Sequence, residues 1–309
     1  MNFNNTKDID EPETEITETL QAQPSNPATQ TCGQKKLLHT ELVVNGQQAK
    51  PGDWPWHAAI HRMTDGRLKY LCGGTLLSRN VVLSGGTCVA NLDGNGGVVS
   101  AEIVEVMLGK FNLDDNIETN SQTKKVAEIV IHEKFTREKY LDDISLIRLK
   151  PDAVFTDYVQ PICLWNRDVH NRIDRFTPVI GTVPGWGVDE TGVQTSTLHQ
   201  AQMPIVSDGV CARSSDLFKD FSYNKFCAGF INGTSVCIGD SGGAMAVFVP
   251  YNKSTTQGAW YARGIVSLAS SSKNQNSNYR CDPTQYVLFT DLDYYTDWIG
   301  NKMASWIYL

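Results

Sequence analysis

The chain has 309 residues, 41% of them hydrophobic, and carries 27 lysines and arginines against 34 aspartates and glutamates, for a net charge of -7. That balance argues against nucleic acid as a partner, because phosphate binding relies on clustered Lys and Arg, and no basic patch stands out. No segment is long and apolar enough to span a membrane. None of the eight cysteines forms a CxxC pair or another zinc-type spacing, so no metal site and no cofactor are expected.

Residues 1–31 are acidic, rich in Thr, Pro and Gln, and nearly free of large apolar side chains. Such a composition cannot bury enough surface to offset its ordering entropy, and the segment is expected to be a disordered tail or linker. It also lacks the apolar core of a signal peptide. The even number of cysteines points the other way, to disulfides and an oxidising compartment. The cysteines are given the greater weight, so the expectation is a secreted protein, with any leader in an upstream portion. Sequons at Asn4, Asn232 and Asn252 are compatible with that.

From Cys32 onward, short β-rich runs alternate with turn residues: Val81 to Leu83, Ile103 to Met107, Ile144 to Leu149 and Gly264 to Leu268. Repeated short strands without helical periodicity indicate an all-β fold. The stretch Tyr294 to Trp306 differs, placing Tyr295, Trp298, Ile299 and Met303 at helical spacing, which predicts one amphipathic terminal helix. No internal repeat is strong enough to use.

Several blocks then occur in a fixed order: Val43-Val44-Asn45-Gly46 with Pro51 to Trp56, Leu71 to Leu76, Val81 to Cys88, Asp143 to Leu146, Gln160 to Cys163, Gly185-Trp186-Gly187, and Gly239-Asp240-Ser241-Gly242-Gly243. Together they resemble a chymotrypsin/trypsin-family serine protease over about residues 32 to 305. One GDSGG block would be moderate evidence, whereas ordered blocks at fitting distances are strong evidence. The resemblance implies two packed six-stranded antiparallel Greek-key barrels with a C-terminal helix, and the active site between the barrels. It implies the division 1–31 tail, 32–42 pro-segment and 43–309 protease domain. It also implies the disulfides Cys72–Cys88, Cys211–Cys227, Cys237–Cys281 and Cys32–Cys163, the last tethering the pro-segment.

Acyl transfer by serine needs an alcohol, a base, a carboxylate that orients the base, and backbone donors for the oxyanion. By resemblance, Ser241 is the nucleophile, the amides of Gly239 and Ser241 form the oxyanion hole, and Asp143 is the orienting carboxylate. Neighbouring Asp142 is read as a solvated loop residue. The family's histidine precedes the cysteine of a Thr-Ala-Ala-His-Cys-like block, which here reads Ser84-Gly85-Gly86-Thr87-Cys88. Thr87 thus takes the place of the base, and its hydroxyl has no basic nitrogen and does not titrate near neutral pH. In a comparable triad, losing the histidine costs about 10⁶ in kcat. The pair Gly85-Gly86 in place of Ala-Ala is expected to loosen the backbone there. His39, His57, His61, His132, His170 and His199 are each read as partly exposed structural residues and not as substitutes.

In the resembled family, cleavage here at Leu42–Val43 frees an amine that pairs with Asp240 and forms the pocket. No Lys or Arg precedes that bond, so a trypsin-like activator has nothing to recognise. The nearest dibasic pair, Lys35-Lys36, is read as an ordinary solvated charge pair. The base of the primary pocket falls on Ser235 and its far walls on Ala269 and Val287, which points to small or medium apolar side chains. Leu268 replaces the family's edge-strand tryptophan, and Ser270 to Asn278 reads as an inserted loop.

The favoured expectation is therefore a non-catalytic homologue that binds a protein, whether substrate, protease or inhibitor, in an extracellular proteolytic cascade. The alternative is an active or weakly active endopeptidase of non-basic specificity, kept open by the intact Gly-Asp-Ser-Gly-Gly block and Asp143. A third reading is a piece of a larger modular protease similar to the initiating enzymes of arthropod cascades, resting on Leu42 and Cys32.

Overall fold

The structure is a computed structural model that describes residues 32–37, 47–91, 97–173, 178–189, 191–218, 223–231, 235–252, 256–273 and 279–307. The tail expected at 1–31, His39, the Leu42–Val43 bond and the sequons at Asn4 and Asn232 lie outside these residues.

Six strands, β1 (His57–Thr64), β2 (Arg67–Leu76), β3 (Val81–Ser84), β4 (Val104–Leu108), β5 (Gln122–Ile131) and β6 (Ser145–Lys150), close into an antiparallel barrel of order β1-β2-β3-β6-β5-β4. Six more, β7 (Ile180–Gly185), β8 (His199–Val206), β9 (Lys225–Ala228), β10 (Ala244–Pro250), β11 (Gly258–Ala269) and β12 (Val287–Asp291), close in the order β7-β8-β9-β12-β11-β10. The two barrels therefore share one strand order, a repeat the sequence does not announce because only the backbone path recurs. Closure leaves no long unpaired edge in either barrel.

The strand patterns follow from where each strand lies. β4 alternates buried and half-buried residues, as a wall with one face inward must. β3 and β12 are buried along their whole length and read as continuous apolar runs with polar residues only where the site needs them. The helix α1 (Thr296–Ile307) buries Ile299 and Trp306 against the first barrel's core, close to the predicted span of Tyr294 to Trp306.

The chain ahead of the barrels is fastened to the second one. Cys32 is bonded to Cys163, and Gly33 exchanges backbone hydrogen bonds with Pro161 and Trp260. Lys35 is not the solvated charge expected of it: its ammonium lies 3.7 Å from the Trp54 ring centroid and 4.6 Å from that of Trp260. Burial pushes its pKa down to about 8 despite the nearby charge of Asp53. The other three bridges are Cys72–Cys88, Cys211–Cys227 and Cys237–Cys281, so all eight cysteines pair as the resemblance implies.

Candidate active site

The turn Gly239 to Gly243 leads into β10 and is shaped by its glycines. Gly239 and Gly242 have φ of +101° and +81°, a region that L side chains rarely enter. A Cβ on Gly242 would also lie 2.2 Å from Ser84 Oγ and 2.6 Å from the Gly73 carbonyl oxygen. The turn is held by hydrogen bonds from Asp240 N to Cys237 O (2.9 Å), Gly243 N to Asp240 O (3.1 Å) and Gly242 N to Val266 O (2.9 Å). Across the barrel junction, Gly73 N donates to Ser241 O at 2.9 Å, which ties the turn to β2.

Asp240 is buried beneath the turn and accepts from Gly187 N at 2.8 Å and Cys237 N at 2.7 Å. Its carboxylate fills the space that side chains on Gly185 and Gly187 would need: their Cβ atoms would come within 1.8 and 2.3 Å of its oxygens. That is the physical reason for the Gly-Trp-Gly block. Burial raises the Asp240 pKa to about 6, partly opposed by the two amide hydrogen bonds and by His199. Tyr70 stands beside it, and its hydroxyl donates to Gly239 O at 2.6 Å.

On the first barrel's side, the chain leaves β3 at Ser84 and turns through the short helix Gly86–Val89. Thr87 N donates to Asp143 Oδ1 at 2.8 Å, and the Thr87 hydroxyl reaches Asp143 Oδ2 at 3.4 Å. The expected loosening at Gly85-Gly86 is not what the packing gives. A Cβ on Gly86 would meet the Phe135 ring at 2.9 Å, so an aromatic side chain occupies the room that the missing methyl leaves.

Asp143 is fully buried and held from the second barrel as well. The register of β11 against β12 slips between Val266 and Leu268, and this bulge aims Ser267 at Asp143, whose Oδ2 accepts from Ser267 Oγ at 2.5 Å. Thr290 Oγ1 donates to the Asp143 carbonyl at 2.9 Å. Behind both hydroxyls lies a residue the sequence reading missed: Lys225, buried in β9, donates to Ser267 Oγ at 2.9 Å and to Thr290 Oγ1 at 2.8 Å. Burial pushes its pKa down to about 8, against the attraction of Asp143 and Asp142.

Asp142 is not a solvated loop residue. It adopts φ of +45° and accepts from Tyr295 Oη at 2.8 Å and Asn224 Nδ2 at 3.1 Å, with His132 Nδ1 3.8 Å away. Burial, with the hydrogen bond to Asp142, raises the Tyr295 hydroxyl well above its ordinary range.

Two of the histidines, His57 and His61, depart from the partly exposed reading, whereas His132 and His199 are half-buried and His170 is exposed. His57 is buried against Trp186, ring centroids 5.0 Å apart, with neither ring nitrogen hydrogen-bonded among the described residues. Burial drives its pKa down to about 3, so the ring is neutral. His61 is buried beside Tyr70 and is likewise shifted down by burial. His132 packs against Tyr295 and Trp298, His170 against Trp165, and His199 bonds the Thr197 carbonyl at 2.8 Å. None of these five rings is hydrogen-bonded to Ser241.

Among the other candidate positions, the Ser235 hydroxyl donates to the Val236 carbonyl at 3.1 Å. Ala269 pairs with Val287, and Leu268 with Leu288, across β11 and β12. Of the expected inserted loop, Ser271–Lys273 pairs with Tyr279–Cys281 as a small hairpin, and 274–278 lie outside the described residues. Among the described residues no group of three His, Cys, Asp or Glu side chains could hold a metal ion.

Two closed barrels of one strand order, with a Gly-Asp-Ser-Gly-Gly turn of the second set against β2 of the first, define a two-barrel serine protease domain. The family model described as Trypsin matches residues 43–299, and the chain belongs to that family. It is 31% identical over 275 residues to Limulus clotting factor C of Carcinoscorpius rotundicauda, covering 87% of this chain and 26% of that protein. It is 30% identical to the proclotting enzyme of Tachypleus tridentatus, covering 95% of this chain and 74% of that one. Against chymotrypsin-C of Rattus norvegicus the identity is 32%, with 84% and 88% covered. The chain thus spans about a quarter of the length of the clotting factor C proteins it matches.

Proposed function

We propose that this chain is a secreted, catalytically silent member of the trypsin family that acts by binding a protein substrate, protease or inhibitor in an extracellular proteolytic cascade. The observation that carries the reading is the group that meets Asp143. The carboxylate that would orient an imidazole receives the Thr87 backbone amide and hydroxyl instead. Neither group can take a proton from Ser241, and no imidazole of the described histidines is hydrogen-bonded to that serine. In this reading Gly239 and Ser241 supply the oxyanion donors, Ser235, Ala269 and Val287 bound an apolar pocket, and cleavage at Leu42–Val43 supplies an amine to Asp240. Residues 32–42 act as a pro-segment that the Cys32–Cys163 bond retains, and 1–31 as a linker.

The four disulfides support an extracellular setting. The cascade assignment draws on relatives called clotting factor C and proclotting enzyme. A second reading, an endopeptidase of non-basic specificity, is favoured by the turn around Ser241, held through the amides of Asp240, Gly242 and Gly243. A fluorophosphonate probe separates the two when applied to the chain cleaved at Leu42–Val43, beside its Ser241→Ala variant. Silence of both is expected, and labelling that Ser241→Ala abolishes favours the enzyme.

A further inference from the structure

Lys225 has no part in the proposed binding function, yet a lysine is costly to bury unless its charge is met. Its surroundings meet that charge indirectly. The ammonium donates to Ser267 Oγ (2.9 Å) and Thr290 Oγ1 (2.8 Å), and each hydroxyl in turn donates a hydrogen bond to Asp143: Ser267 to carboxylate Oδ2 (2.5 Å), Thr290 to the backbone carbonyl (2.9 Å). Cation and anion are thus joined by one hydroxyl, both within a region closed to water. Of the acidic groups around it, Asp142 is tied to Tyr295 and Asn224, with His132 beyond, which leaves Asp143 as the carboxylate linked to the lysine by hydrogen bonds.

We propose that Lys225 is an internal counter-cation that satisfies Asp143 from the second barrel, a positioning residue that makes an imidazolium on the carboxylate's open side unnecessary. The charge an oriented histidine gains during acyl transfer is stabilised by the carboxylate's unshared negative charge. A cation already bonded into that carboxylate through one hydroxyl takes up part of that stabilisation. Thr87 therefore removes the base, and Lys225 removes much of the electrostatic reason for having one. The proposal rests on the reading of position 87 given above, but its first test does not.

In the full chain, the Lys225 ammonium is followed by NMR of its side-chain carbons across pH 6–11. Asp143→Asn is expected to lower its titration midpoint by at least about half a pH unit, because the coupled negative charge is gone. An unchanged midpoint would overturn the proposal, whatever the status of position 87. The second test compares Thr87→His with Thr87→His/Lys225→Met and Thr87→His/Lys225→Gln. The introduced imidazole is expected to titrate about one pH unit lower with Lys225 present, and Ser241 to be labelled by fluorophosphonate about tenfold more slowly. Equal imidazole midpoints in the three variants would sink the idea. If the parent itself is labelled at Ser241 while the lysine shift is seen, the base reading fails and the counter-cation stands.

Discussion

The two barrels hold their parts of the candidate site in different ways. The second barrel supplies the Gly239 to Gly243 turn, with every backbone constraint in place: two left-handed glycines, a buried Asp240 seated in the hollow of Gly185 and Gly187, and a bond from Gly73 to Ser241. The first barrel supplies Thr87 and Asp143, where the carboxylate is buried and hydrogen-bonded, and none of the described histidines is hydrogen-bonded to Ser241. The Gly239 to Gly243 turn is fixed by its packing. Side chains on Gly185 or Gly187 would overlap the Asp240 carboxylate, whereas Thr87 is half-exposed.

The largest effect is expected from an imidazole at position 87. Thr87→His in the chain cleaved at Leu42–Val43 should raise hydrolysis of a small apolar ester by at least about 10²-fold, since imidazole loss in a comparable triad costs about 10⁶. An unchanged rate would mean that the second barrel's side is also impaired. Next in size is Gly187→Ala, whose Cβ would stand 2.3 Å from Asp240 Oδ2 and 2.7 Å from its Cγ. Such an overlap in a packed site should lower unfolding free energy by about 1–3 kcal/mol in urea. A neutral result would show that Asp240 is free to move.

Asp240 also makes the stability of the second barrel depend on pH. Its folded-state pKa, raised from 3.8 to about 6, means that the folded chain holds a proton which the unfolded chain has released between those values. Stability from this group is therefore greatest below about pH 4 and declines as pH rises to about 6, by an amount on the order of 2–3 kcal/mol. Cleavage at Leu42–Val43 that brings an amine to the carboxylate should flatten or reverse that slope. Melting curves of intact and cleaved chains between pH 4 and 7 check it, and identical slopes would show that no amine arrives. The smallest effect belongs to the first barrel's side: Gly86→Ala should cost about 1 kcal/mol, because the Phe135 ring 2.9 Å from the new Cβ can shift.

Much of the fold was legible because its signals are local. The β-rich runs at 81–83, 103–107, 144–149 and 264–268 fall within or beside β3, β4, β6 and β11, and the terminal helix begins within two residues of its expected start. The disulfide pairs were implied by the family resemblance and not by any local signal. What stayed hidden depends on long-range neighbours. Asp142 looks like a loop residue until Tyr295 and Asn224, 153 and 82 residues away, close on it. Lys35 looks solvated until Trp54 and Trp260 flank it. Lys225 opens Lys225-Phe226-Cys227-Ala228, an otherwise apolar run bounded by a cysteine bridge. A charge at that place was a signal available in the sequence, and only the register of β9 with β12 gives it meaning.

The most direct measurement is fluorophosphonate labelling of the unaltered chain after cleavage at Leu42–Val43, read by intact mass beside Ser241→Ala. An unmodified mass for both is what a hydroxyl facing no base should give. An adduct on the parent that is lost in Ser241→Ala would contradict the account.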